Sequence, residues 1–145
     1  MSPLRHFLFA AVLAAASASV LAAVPVTVYK SPSCGCCEAY IAYLKQNGFA
    51  VSAVNRDDMQ QVKSQLGVTP GMGSCHTAKV GRYVVEGHVP AAAIKRLLAG
   101  NSKLVGIAVP GMPLNSPGMG ETKPGTLPVY AMSADQKTGV LYGRF

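Results

Sequence analysis

Cys34-Gly35-Cys36-Cys37 places three of the four cysteines within four positions, and the fourth, Cys75, directly precedes His76. Three chemistries are open to this set. An even cysteine count in a protein bound for an oxidising compartment fits structural disulfides. Cys36 and Cys37 are adjacent and do not readily pair with each other, so that reading joins Cys34 to Cys37 and Cys36 to Cys75. A redox reading takes Cys34 and Cys37 alone, which have the Cys-x-x-Cys spacing of a dithiol switch. At a helix N-terminus the positive end of the dipole favours the thiolate. Cys36 then stands between the pair as a third, competing thiol. A metal reading uses every cysteine. Thiolates crowded at a helix start, met by Cys75 and His76 from another segment, make a soft donor set of the kind that favours Cu(I), zinc or iron–sulfur clusters. Zinc fingers want two separated ligand pairs. Here a tight Cys-x-Cys-Cys faces a lone Cys-His, and such crowded thiolates can bridge more than one Cu(I) ion. In a regular strand Cys75 and His76 point to opposite faces, so both reach one ion only if the strand begins irregularly there.

His88, in Glu86-Gly-His-Val-Pro90, flanks the same segment as His76. It is a further ligand candidate; its plainer role is a hydrogen bond at a helix start. Pro-Gly-Met occurs three times, at 70–72, 110–112 and 117–119. Pro-Gly sets a tight turn with Met at its exit. The thioethers of Met72, Met112 and Met119 are soft donors, and methionine is also the flexible filler of gaps under loops. Tyr29, Tyr40 and Tyr83 read as core or rim residues. The sequence offers no Ser–His–acid arrangement, no paired carboxylates at a useful spacing and no phosphate-binding glycine loop.

The elements that must position these residues follow from pattern and punctuation. Residues 26–30 are β-branched and aromatic and predict a strand, broken by Ser31-Pro-Ser33. Residues 38–46 have helical spacing, with Cys37, Ile41 and Leu44 on one stripe and Cys36, Tyr40 and Tyr43 on its neighbour. Asn47-Gly48 stops that helix, and residues 49–54 predict a second strand. Asp57 or Asp58 caps a helix over 59–66, ended by Gly67. Residues 75–80 and 83–86 form a hairpin around Gly81-Arg82. Pro90 opens a helix over 91–99, stopped by Gly100-Asn101. The order predicts a thioredoxin-like α/β fold: a βαβ unit with parallel strands, then an antiparallel β-hairpin and a helix. The cysteine cluster falls at the carboxyl end of the first strand, where α/β folds place their sites. Residues 101–128 read as an irregular Pro/Gly/Met-rich extension. Two short extended pieces follow, 129–132 and 139–142, in a tail too short to hold a core alone.

The chain begins like an export signal. Arg5 precedes an apolar run over 7–21, interrupted only by Ser17 and Ser19, and Ala22-Ala23 supplies small residues for cleavage. The run is too short for a comfortable membrane span. The expectation is a signal peptide over 1–23, removed to leave a single metal-binding domain over 24–145, periplasmic and not stably inserted in the membrane. The chain carries 13 Lys and Arg against 6 Asp and Glu, and only Arg5 lies in the leader. Lys30, Lys45, Arg56, Lys63, Lys79, Arg82, Lys95 and Arg96 are scattered and read as a solvated basic surface. No basic run is interleaved with aromatics, so nucleic acid is not an expected partner.

Several motifs together resemble the CopG-type family of periplasmic copper-resistance proteins, long described as a metal-binding domain of unknown function. They are Tyr29-Lys-Ser-Pro-Ser-Cys-Gly-Cys-Cys37, Ser74-Cys-His-Thr-Ala78, Val85-Glu-Gly-His-Val-Pro90, Val109-Pro-Gly-Met-Pro113 and Ser116-Pro-Gly-Met119. The resemblance implies a thioredoxin-like fold and copper handling beside exported copper efflux or chaperone proteins. It implies Cys34, Cys36, Cys37, Cys75 and His76 as the metal site, with His88 beside them. The expected function is to hold Cu(I) in a cysteine thiolate cluster, mononuclear or polynuclear, for copper resistance, with redox cycling of copper or thiols as an extension. Cys34 and Cys36 are expected at the exposed rim and Cys37 and Cys75 beneath, with His76 or His88 completing the shell. The alternatives are a thiol–disulfide oxidoreductase working through Cys34 and Cys37, and a disulfide-stapled interaction module. Whether the chain turns over as an enzyme is left open.

Overall fold

The structure, a computed structural model, describes residues 22–135 and 139–145. Nearly all of the expected leader lies outside the described residues. Strand β1 (Val24–Lys30) is followed by helix α1 (Gly35–Gln46), strand β2 (Phe49–Asn55) and helix α2 (Met59–Gln65). A single 3-10 turn, Pro70–Met72, leads into β3 (His76–Val80) and β4 (Tyr83–Glu86), and α3 (Ala91–Ala99) follows. Three more strands close the chain: β5 (Gly106–Ala108), β6 (Pro128–Met132) and β7 (Leu141–Arg144). Among the described residues all strands join one sheet in the order β2-β1-β3-β4-β5-β6-β7. β1 and β2 are parallel, as the βαβ reading requires, and β3–β4 is the expected antiparallel hairpin.

Alternation along the strands gives the sheet two different faces. One carries Val26, Val28, Ala78, Val80, Val85, Ile107 and Val129, packed with Tyr40, Ile41 and Leu44 of α1 and Ile94 and Leu97 of α3. Each fully buried aliphatic side chain here contributes roughly 1.5–3 kcal/mol. The other face holds a smaller cluster of Val68, Met72, Val84, Ala108 and Met132. It also holds the polar Thr77 and Glu86, which meet α2. Met72 therefore takes the gap-filling role open to it. Met112 is exposed and Met119 half-buried.

Four local expectations change. Helix α1 starts at Gly35, with Cys34 at its N-cap, so Cys36 and Cys37 lie in the first turn itself. Asp58 does occupy the N-cap position of α2, yet its carboxylate makes no cap bond. It accepts from the Arg56 guanidinium instead, at 2.7 and 2.5 Å. Lys30 and Lys63, read as solvated, are both buried and paired: Lys30 with Glu38 at 2.7 Å, Lys63 with Glu86 at 2.5 Å. Finally, the irregular extension is no appendage. β5 runs parallel to β4, and β6 and β7 follow antiparallel, so this region widens the same sheet. Three residues of strand between prolines and glycines carry no alternation to read, and only the neighbouring strands define them.

The third Pro-Gly-Met turn docks on α1. Gly118 has φ +81°, and a Cβ placed there would lie 2.8 Å from the Tyr40 backbone nitrogen and 3.0 Å from its Cα. Both the backbone conformation and the contact exclude a side chain. Gly118→Ala is therefore expected to destabilise the fold by about 1–3 kcal/mol, read as a lower urea midpoint. An unchanged midpoint contradicts this packing.

Candidate metal centre

Two segments converge at the carboxyl end of β1. The first is the start of α1. Cys34, at its N-cap, forms a disulfide with Cys37, and Cys36 is a free thiol. Cys37 is fully buried, whereas Cys34 and Cys36 are half-buried. The second segment is Ser74-Cys75-His76. β3 begins only at His76, whose register partner is Lys30, so Cys75 lies outside the ladder. This is the irregular strand start that joint use of Cys75 and His76 demands. The Cys75 sulfur sits 3.3 Å from His76 Nδ1, 3.1 Å from His88 Nε2 and 3.7 Å from the Cys36 sulfur. Cys36 is in turn 3.5 Å from the Cys34 sulfur. Cys75, expected beneath the rim, is half-buried like Cys36.

The donor atoms of Cys34, Cys36, Cys37 and Cys75 all lie within 4.8 Å of one another, and so do those of Cys75, His76 and His88. The four cysteines and the two histidines His76 and His88 are therefore in one place, and Cys75 belongs to both groups. While the Cys34–Cys37 disulfide stands, those two sulfurs are tied up. The free donors are then Cys36, Cys75, His76 and His88.

The histidines are held as ligands are. His88 Nδ1 lies 2.8 Å from the Pro117 carbonyl. A carbonyl only accepts, so Nδ1 carries the proton and Nε2 presents a bare lone pair toward Cys75. A backbone carbonyl on the far ring nitrogen is a usual partner of a metal-binding imidazole. His76 Nε2 is buried with no hydrogen-bond partner among the described residues. Burial, helped by His88 and the Lys63 charge, pushes the His76 pKa down to about 3. Burial also lowers that of His88, against an opposing hydrogen bond to Pro117. Both rings are thus neutral donors near pH 7. Burial first, then the Cys36 contact, raises the Cys75 thiol to about 11, so a metal binding there must displace its proton. Two thiols and two neutral imidazoles suit a soft or borderline cation such as Cu(I) or zinc.

Three features of the site were not read from the sequence. Tyr40 is its aromatic wall: its ring stacks on His76 at 4.6 Å and meets His88 edge-on at 5.2 Å, with its hydroxyl donating to the Val89 carbonyl at 2.7 Å. Its place one turn after Cys36 on the same stripe was the available signal. Pro117 contributes a carbonyl, so the third Pro-Gly-Met turn acts through its backbone. The Lys63–Glu86 pair lies on the opposite face and had no signal, because each residue alone reads as surface.

Two solved structures of a copper resistance protein CopG, Form 1 and Form 2, match at 40% identity with a TM-score of 0.76. Each alignment covers 85% of this chain and 98% of the other. The chain belongs to the CopG family. A family described as a protein of unknown function, DUF411, also matches, over residues 72–119, the stretch holding Cys75, His76 and His88. No curated protein matches the chain.

The depressed His76 pKa has a measurable sign. Unfolded, His76 takes up a proton below about pH 6.5; folded, it stays neutral down to about 3. Between these values the unfolded state binds more protons, so stability falls as pH falls, by about 1.4 kcal/mol per unit. In urea titrations of metal-free protein between about pH 6 and about pH 4, His76→Gln is expected to flatten the slope by that amount. Equal slopes contradict a buried neutral imidazole.

Proposed function

We propose that this chain is an exported, periplasmic copper-resistance protein that holds Cu(I) where its two cysteine-bearing segments meet. One observation carries the reading: the Cys75 sulfur lies at 3.1–3.7 Å from His88 Nε2, His76 Nδ1 and the Cys36 sulfur. With the disulfide in place, Cys75, His76 and His88 form a one-sulfur, two-nitrogen set, and the Cys36 thiol lies 3.7 Å from the Cys75 sulfur. Reduction adds Cys34 and Cys37, and four thiolates within 4.8 Å are close enough to bridge more than one Cu(I). The kinship with copper resistance protein CopG supports copper over zinc. The apolar leader over 1–23 supports export. The order β2-β1-β3-β4, with a parallel first pair, supports a thioredoxin-like first half. Copper efflux or chaperone proteins are the expected partners.

Cys75 is the donor common to both groups, so its loss is the sharpest test. In anaerobic Cu(I) titrations against a competing chelator, Cys75→Ser is expected to weaken binding on the order of 100-fold or more. Unchanged stoichiometry and affinity would sink the two-segment site.

A second reading rests on the Cys34–Cys37 disulfide at the start of α1. Its half-exposed Cys34 and buried Cys37 are disposed as in a thiol–disulfide exchanger. That reading predicts that insulin reduction is abolished by Cys34→Ser and indifferent to copper. Absence of reductase activity in the wild-type protein excludes it.

A further inference from the structure

Behind the sheet from the sulfur cluster, Glu86 is fully buried. Its carboxylate takes three donors. Lys63 Nζ reaches Oε1 at 2.5 Å, the Thr77 hydroxyl donates to Oε2 at 2.6 Å, and the backbone N–H of Ser74 donates to Oε1 at 2.6 Å. Lys63 also donates to Thr77 Oγ1 at 2.9 Å. A buried ion pair is a poor source of stability, because desolvation offsets most of the attraction. This one has a structural consequence instead: the Ser74 amide is turned onto a side chain.

We propose that Glu86 is the positioning residue for Cys75, holding it off the strand by capturing the Ser74 amide. The inference rests on the reading of Cys75 as a copper ligand. Regular alternation would send the Cys75 side chain to the Thr77 face, away from His76. The ladder stops instead at His76, whose carbonyl accepts from Gly87 N–H at 3.1 Å. The next amide but one, that of Ser74, ends on the carboxylate. The Ser74 hydroxyl donates to the Gly111 carbonyl at 2.5 Å and fixes the far side of the segment. Gly87 makes room for it: a Cβ there, at φ +74°, would fall 2.7 Å from the Ser74 side chain and 2.5 Å from the Val109 carbonyl. Pinned this way, Cys75 turns its sulfur toward both imidazoles. Glu86 touches no ligand atom and acts through the Ser74 backbone.

Two double variants separate positioning from charge. Lys63→Met with Glu86→Gln removes both charges and keeps an acceptor for Ser74. Lys63→Met with Glu86→Leu removes the acceptor as well. The measurements are the Cys75 alkylation rate in metal-free protein, mapped by mass spectrometry, Cu(I) affinity, and a melting curve to certify folding. The glutamine double variant is expected to stay close to wild type. The leucine double variant is expected to lose about 10- to 100-fold in copper affinity, the scale of an outer-shell loss, with faster Cys75 alkylation. A folded leucine variant that matches wild type overturns the proposal, and so does an equal loss in both variants. If the leucine variant does not fold, hydrogen exchange in the wild-type protein decides. A Ser74 amide protected like those of β3 supports the capture; exchange at a loop rate overturns it. Alkylation and exchange need no metal. Should the wild-type chain bind no copper while both behave as expected, the copper reading fails and the positioning role stands.

Discussion

A carboxylate sealed inside a protein must meet a counter-charge and hydrogen-bond donors, or several kcal/mol are lost. Glu86 meets that demand with Lys63, Thr77 and the Ser74 amide, on the face of the sheet away from the sulfurs. The third donor ties this polar core to the cysteine chemistry. It takes the Ser74–Cys75 segment out of the β3 ladder at the point where Cys75 and His76 would otherwise diverge. The hairpin supplies His76 and, just beyond it, His88, and the first helix supplies Cys36. Without the irregular strand start Cys75 would face the Thr77 side of the sheet, away from these groups.

The opposite wall is aromatic and aliphatic. Tyr40 lies against both imidazoles and reaches Val89 through its hydroxyl, so α1 sets the ring positions as well as the cysteines. The turn at 116–119 closes the arrangement from outside: Gly118 rests on the α1 backbone and Pro117 fixes the His88 tautomer. The neutral rings and the protonated Cys75 thiol follow from this enclosure, because burial disfavours charge wherever no partner offsets it. A soft cation that binds Cys75 replaces its thiol proton.

Much of this was legible in the residues. Type and spacing singled out Cys34, Cys36, Cys37, Cys75, His76 and His88, and the structure gathers all six at the end of β1. The strand and helix order through residue 99 could be read because Asn47-Gly48, Gly67 and Pro90 punctuate strongly periodic segments. Residues 101–128 were read as irregular and β5 was missed, since a strand of three residues takes its identity from neighbours, whereas the extended pieces at 129–132 and 139–142 overlap β6 and β7. The pairing of Lys63 with Glu86 was invisible for a related reason. Burial of a charge depends on a partner 23 positions away, and no local pattern announces it. The Pro-Gly-Met turns were noticed for their thioethers, yet the third works through a carbonyl and a missing Cβ.

In the proposed site cysteine sulfur and histidine nitrogen meet on one copper ion. Copper-edge X-ray absorption on the full-length protein loaded anaerobically with one equivalent of Cu(I) tests it most directly. The expected result is a mixed shell of sulfur and imidazole nitrogen, with the nitrogen contribution reduced in His88→Ala. A shell of sulfur alone, unchanged by that substitution, would contradict it.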